Sequence, residues 1–459
     1  MQNTGDAPSR EFDWGLCPAA ADFAQTLVAD FLEHHRFAKG LAGRMLKETS
    51  TRFSDWIDHA VLPAADFSAR DLEALGFEED ETPKTPDGER SFRHRGSCLF
   101  PLLLSPEGRI EIALKPEELE PIISRLRLEA AIAGKSWAPY RRAVLGAEGR
   151  HVLSAVARRG TGDFVSHDCG DGKDYAAVLS QLSGRKRDFG SDEEGMQQTC
   201  LLLKSAAGSL KRERLCDAFF RSERIHWQSR NRAGRLQAGR QDRLGLGWGN
   251  HDHHTYRSSR ESFLALMEVF TTLGFEFRER YYAGEAAGWG AQILEHAACG
   301  IVVFADVDLH PDESEVDFPR QGLPHRKELG TVGLWVGLHG QSLLQAGMHH
   351  LAARFDFPRL GQDLEASGAK VMAPFSNFPF LKQAFTAGEA QKVSDARLDR
   401  LADESSVTAQ QRAKFQAEGA IGSHLESLER NQGFKGFNKS SVTKIIQATD
   451  PRMQSALGA

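Results

Sequence analysis

The least ordinary chemistry in this chain lies at residues 251–254, His-Asp-His-His. It opens a stretch, Trp248 to Asp308, that also carries Glu295. Neutral imidazole is the commonest metal ligand in proteins. Two imidazoles and one carboxylate with open positions beside them are the usual set for non-haem Fe(II). The run alternates as a β-strand does, which puts side chains two apart on one face. On that count His251, His253 and Arg257 lie together, while His254 and Arg260 point away. Glu295 stands in the apolar stretch AQILEHAACGIVVF, where an unpaired carboxylate is costly to bury. It therefore reads as a ligand on a strand curled against the first, with His296 facing the other way. His253 and Glu295 make two ligands, and the second imidazole must come from elsewhere.

The elements around these residues point to where. A helix with Phe263, Leu264, Leu266, Met267 and Phe270 at helical spacing ends in Leu273-Gly274-Phe275-Glu276. The same tetrapeptide occurs at Leu75-Gly76-Phe77-Glu78, after a helix with Asp66 or Ser68 as N-cap. Ahead of that helix, FSDWIDHAVLP (53–63) alternates as a strand and contains His59. Both copies read strand with histidine, helix, LGFE, then further strands. A short match inside the same order of elements indicates an internal duplication. An isolated histidine among Trp56, Ile57, Val61 and Leu62 is more often a hydrogen-bonded core residue. The repeat is what makes His59 the candidate second imidazole.

The expected organisation is a helical segment over 1–50, a first metal-binding module over 51–115 and a mostly helical insertion over 116–243. A second module with a following helix–strand unit covers 244–385, and a helical segment covers 386–459. Within these, GTVGLWVGLHG (330–340) reads as a strand and Leu343 to Phe355 as a helix. Residues 388–430 read as charged helix, and the tail ends in a short helix. Many arginines lie in 174–243, from Arg185 to Arg243. They read as a solvated helical face balanced by acids elsewhere.

Composition bounds the partners. The 459 residues are 41% hydrophobic and 26% charged, with a net charge of −6, so no basic field favours nucleic acid. No apolar run approaches the roughly 18–20 residues of a membrane helix. The N-terminus lacks the basic and apolar regions of a signal peptide. The six cysteines are scattered, without a CxxC pair, as in a cytoplasmic protein with reduced thiols. Phosphate-binding loops, the GxSxG elbow and the HExxH helix are absent from the sequence.

Taken together, the histidine strands, the glutamate strand and the duplicated order resemble the vicinal oxygen chelate superfamily. Its fold is α+β, with paired βαβββ modules forming a curled mixed sheet. Here the modules would carry a large helical insertion and helical terminal segments. More narrowly, His253-His254-Thr255-Tyr256-Arg257 and Ile293-Leu294-Glu295-His296 are similar to motifs of the 2-oxoadipate dioxygenase/decarboxylase (hydroxyglutarate synthase) family. The resemblance implies Fe(II) held by His59, His253 and Glu295, and a small carboxylate, a 2-oxo acid, as substrate together with O2. Arg257 would bind the substrate carboxylate, and His251 and Tyr256 would assist proton transfer. The family also has an arginine four residues after its first histidine; this chain has Pro63 there. Other activities that the same fold would accommodate are ring-cleaving dioxygenation and glyoxalase-type lyase or isomerase chemistry. A ligand-binding protein without chemistry would leave the three positions apart.

Overall fold

The computed structural model describes residues 14–167, 169–285, 287–438 and 449–452. The short helix expected in the tail falls mostly outside them. The chain is α+β, and its organising elements are two mixed sheets of eight strands each. The first contains β1 (Ile57–Pro63), β2 (Glu78–Glu79), β3 (Arg90–Arg93), β4 (Leu102–Ser105), β5 (Ile110–Leu114), β6 (Ile132–Ala133), β7 (Tyr140–Glu148) and β8 (His151–Arg158), in spatial order 2-3-4-1-5-8-7-6. The second contains β9 (His251–Arg257), β10 (Glu276–Tyr282), β11 (Trp289–His296), β12 (Ile301–Asp308), β13 (His350–Arg354), β14 (Ser376–Phe378) and β15 (Leu381–Phe385). After the small separate pair β16 (Ala390–Gln391) and β17 (Ala420–Ile421), β18 (His424–Arg430) completes it, in order 10-11-12-9-13-18-15-14.

The two orders are the same pattern. Each sheet is two strand–helix–three-strand units side by side, joined by an antiparallel pair: β1 with β5, and β9 with β13. The helices of the four units are Ala69–Ala74, Leu119–Leu126, Phe263–Thr272 and Phe357–Ala366. The two LGFE segments open the sheets at equivalent places. In each, the glycine takes a left-handed conformation (φ 87° at Gly76, 94° at Gly274) just past the helix end. The following phenylalanine N–H returns to a helix carbonyl, Leu72 or Phe270, at 3.0 Å. This is the glycine stop that satisfies the last carbonyls of a helix. It buries Phe77 and Phe275 and leaves the exposed Glu78 and Glu276 to start an edge strand.

Several expected elements differ from this. The 116–243 segment first supplies the helix Leu119–Leu126 and strands β6, β7 and β8 to the first sheet, and is mostly helical only from Gly172. Residues 331–339 form a helix instead of a strand; the stretch is apolar all round, and periodicity does not separate a buried helix from a buried strand. The 343–355 stretch holds strand β13, and 388–430 ends in strand β18. Several arginines of the helical region have side chains buried in ion pairs instead of lying on a solvated face: Arg185 and Arg187 with Glu223, Arg214 with Asp171, Arg221 with Glu118, and Arg224 with Glu117.

Candidate metal centre

β9 runs through the middle of the second sheet, between β12 and β13, and a β-bulge sets how its side chains point. His253 pairs with Ala352 and His251 with the next residue, Ala353, so Asp252 is the extra residue. A bulge breaks the two-residue alternation. His251 therefore does not share a face with His253, as the sequence count had it. Its ring lies 5.2 Å from that of His254. Beyond the bulge the alternation is regular, and His253, Thr255 and Arg257 all line one cavity.

Next to His253 stand two residues the sequence reading did not select. His350 on β13 sits opposite Thr255, and Glu426 on β18 sits opposite Ala352. Glu426 Oε2 is 3.2 Å from His253 Nε2 and 3.1 Å from His350 Nε2. One ligand atom from each of the three residues lies within 4.8 Å of the others, and all three residues are buried. Only the small Ala352 separates His253 from Glu426 across the sheet, so the two longer side chains lean together over it.

Each ligand is held from behind. Asp252 Oδ2 is 3.1 Å from His253 Nδ1, leaving Nε2 to face the cluster. Asp252 itself accepts from Arg354 and Arg430 at 2.9–3.0 Å. Gln383 Nε2 donates to Glu426 Oε1 at 2.8 Å, and His349 Nδ1 lies 3.1 Å behind His350 Nδ1, while Thr255 Oγ1 is 2.7 Å from the cluster-facing His350 Nε2. Such carboxylate–histidine contacts fix ring orientation and raise ligand basicity. Burial lowers the His253 pKa, but Glu426 and Asp252 outweigh it and bring the ring to about 9. Burial would raise Glu426, yet the two imidazoles hold it well below the usual carboxylate range. Burial lowers His350 despite the pull of Glu426. The cluster thus carries a negative charge that a proton or a divalent cation balances. Two imidazoles and one carboxylate, with other positions facing a cavity, fit a non-haem Fe(II) set.

That cavity, about 80 Å³, has aromatic walls including Tyr281, Trp289, Phe304, Phe385 and Phe437. Arg257 reaches it fully buried. Its Nε is 4.0 Å from Asp306 Oδ2, its guanidinium lies over Trp335, and Nε and Nη1 have no hydrogen-bond partner among the described residues. Burial moves Arg257 down to about 10 and Asp306 up to about 7, against their mutual attraction.

The remaining candidates lie elsewhere. Glu295 shares a row with His253, through Val302 on β12. The Phe304 ring packs 4.7 Å from the His253 ring on that side, and Glu295 turns to Lys435 (3.1 Å) and Arg278 (3.7 Å). It is 30% exposed, so it escapes the burial cost that had suggested a metal. His59 lies in the first sheet, bound to Asp58 at 2.7 Å and packed on Phe164. It belongs to the other half, whereas the partner of β9 within its own sheet is β13. Tyr256 faces the helical side, its hydroxyl 3.4 Å from Glu223, against Phe220 and Phe270. Neither it nor His251 lines the cavity beside the three ligands.

A usable signal for His350 was present. Asp356, which caps the helix Phe357–Ala366 with Pro358 in its first turn, and Gly368 just past its end (φ 76°) bracket that helix. The preceding HLAAR is then free to be the strand of a further unit.

No protein-family model matches the sequence, and a search of curated proteins returns no match. Solved structures that overlap it include a triple mutant of 4-hydroxymandelate synthase from Streptomyces coelicolor, at 12% identity and TM-score 0.26 over 88% of this chain and 100% of that one. Methylmalonyl-CoA epimerase from Mycobacterium tuberculosis overlaps at 14% identity and TM-score 0.23, over 40% of this chain and 88% of that one. The uncharacterized Shigella flexneri protein YdcJ, which includes domain DUF1338, overlaps at 12% identity and TM-score 0.23, over 52% and 73%. At identities and TM-scores this low, the overlaps say nothing about what this chain binds.

Proposed function

We propose that the chain is a non-haem Fe(II)-dependent dioxygenase acting on a small carboxylate, with His253, His350 and Glu426 as the metal ligands. The observation that carries this reading is the convergence of those three side chains beside a buried arginine in an aromatic cavity. Fe(II) bound there would polarise a substrate carbonyl and supply electrons to O2. The protein's own part is positioning and desolvation. Asp252 keeps the Nε2 edge of His253 toward the cluster, and Gln383 orients Glu426. Tyr281, Trp289, Phe304 and Phe385 exclude water. Arg257, four residues along the same face from His253, offers a substrate carboxylate N–H groups that have no partner among the described residues. With a 2-oxo acid, the overall change would be uptake of O2 and release of CO2, leaving a hydroxy acid one carbon shorter.

The test is anaerobic loading with Fe(II), followed by O2 uptake and CO2 release over a panel of 2-oxo acids. Coupled consumption and release with at least one of them is expected. Turnover that needs no oxygen, with Zn2+, Ni2+ or Mn2+ as effective as Fe2+, would replace this reading with a lyase or isomerase on the same site.

A further inference from the structure

A second cluster lies on the opposite side of the second sheet's hairpin, away from the cavity. Cys216, on the helix Arg212–Arg230, His296, at the end of β11, and Cys299, in the turn to β12, place one ligand atom each within 4.8 Å of one another. Cys216 is fully buried and His296 is 5% exposed. The turn is fixed by its own backbone: the Cys299 N–H lies 3.3 Å from His296 Nδ1, and Gly300 closes it in a left-handed conformation (φ 62°). Cys299 Sγ donates to the Glu213 carbonyl at 3.3 Å, so the helix is already seated on the turn.

The first half shows what is peculiar to this place. There His94 packs edge-to-face on Phe77 at 5.5 Å, as His296 does on Phe275 at 5.4 Å. The residue three further on is Ser97, whose hydroxyl donates to the His94 carbonyl. The histidine and turn are thus common architecture. Two sulfurs at the histidine belong to the second half alone among the described residues.

We infer that Cys216, His296 and Cys299 form a second metal site, for a thiophilic divalent ion of the zinc type. Two thiolates and a neutral imidazole are soft donors, which select zinc over the harder ions that suit His253, His350 and Glu426. Two thiolates also neutralise a dication, so the ion and its two sulfurs together bury no net charge. Zinc bonds of about 2.3 Å to sulfur and 2.0 Å to nitrogen hold tetrahedral donors under about 4 Å apart, within reach of side-chain adjustment. Glu213, whose backbone already touches Cys299 Sγ, completes the fourth position through its carboxylate and closes the site as structural zinc sites are closed. The ion clamps the Arg212–Arg230 helix to the β11–β12 hairpin. That helix also carries Phe220, which packs against His254 and Tyr256 behind β9. The role is structural, and it does not depend on what the cavity on the other face does.

The experiment uses the full chain in a His350→Ala background, where the other cluster competes least. The protein is purified under reducing conditions, and zinc is measured with Cys216→Ser, Cys299→Ser and His296→Gln added singly. One equivalent of zinc is expected in the background protein, falling to less than a tenth in each added variant. Co2+ loading should give a thiolate-to-metal charge-transfer band that Cys299→Ser abolishes. Because Cys216→Ser disturbs a packed helix, a second readout is thiol reactivity in the unsubstituted protein: chelation should expose two further thiols. Absence of both zinc and the cobalt band overturns the inference. So does zinc retained in the Cys216→Ser, Cys299→Ser double variant, or a Cys216–Cys299 disulfide found in its place.

Discussion

In strand register, His59 of the first sheet stands where His253 stands in the second, Glu111 where His350 stands, and Ser154 where Glu426 stands. The bulge is repeated: Asp58, like Asp252, is the extra residue before the histidine and binds its Nδ1. Arg158 holds Asp58 as Arg430 holds Asp252. The halves part at the cluster itself. In the first, Glu111 accepts from Ser154 at 2.6 Å and from Arg142 at 2.7–2.9 Å. Arg142 occupies the register position of Gln383. A side-chain cation therefore sits in the first half where the second keeps a neutral amide behind a free-standing two-histidine, one-carboxylate set. Four residues beyond the histidine the first half has Pro63 and the second has Arg257. On the proposed reading, the same scaffold serves once as a self-neutralised sheet and once as a site for an external cation and an anion.

Three pairs of substitutions press on this contrast. The largest effect belongs to His350→Ala, which should lower O2-dependent turnover by roughly a thousand-fold or more. Ser154→Ala, at the place in the first half equivalent to Glu426, should leave turnover within about twofold. Comparable losses from both would erase the distinction between the halves. Next, Arg257→Met should raise KM for an anionic substrate by about 10- to 100-fold, the worth of charged hydrogen bonds of about 1.5–3 kcal/mol. Pro63→Ala should not move KM. Third, Gln383→Leu should weaken metal affinity by about tenfold, as expected for loss of a group that orients a ligand. Its counterpart Arg142→Leu should leave metal affinity unchanged. It should instead cost about 1–2 kcal/mol in chemical denaturation, since Glu111 is buried while Arg142 is 32% exposed.

The smallest effect is a pH dependence. Burial, partly opposed by Arg257, moves Asp306 up to about 7. Above that pH its anion competes for Arg257; below it the neutral acid releases the guanidinium. KM for an anionic substrate should therefore fall a few-fold as pH drops from 8 to 6, at roughly constant substrate ionisation. Asp306→Asn should abolish the pH dependence. The stability sign is separate. A carboxyl whose folded pKa is raised binds its proton more tightly in the native state, so it disfavours folding as pH rises from about 4 through 7. Asp306→Asn should flatten that slope in denaturant midpoints.

The duplicated tetrapeptide was legible because it encodes a local event, a glycine stop and a buried phenylalanine, that needs no partner. The shared face of His253 and Arg257 was legible because their strand alternates regularly after the bulge. The bulge at Asp252 was not, because it exists only against Ala352 and Ala353, and it misdirected His251. His350 and Glu426 lie in HLAAR and HLESLER, stretches built of good helix formers. They are strands because β13 fills the gap between β9 and β18, with nearly every residue buried. Local propensity does not report that contact. The repeat then pointed to His59 in the first half: it relates the sheets to each other, while the proposed site lies between two units of one sheet.

Metal content after anaerobic Fe(II) loading tests the central claim most directly, measured across His59→Ala, Glu295→Gln, His350→Ala and Glu426→Ala. One iron per chain should remain in the first two, and iron should fall below about a tenth of an equivalent in the last two. Iron lost with His59 or Glu295 and kept without His350 and Glu426 would contradict it.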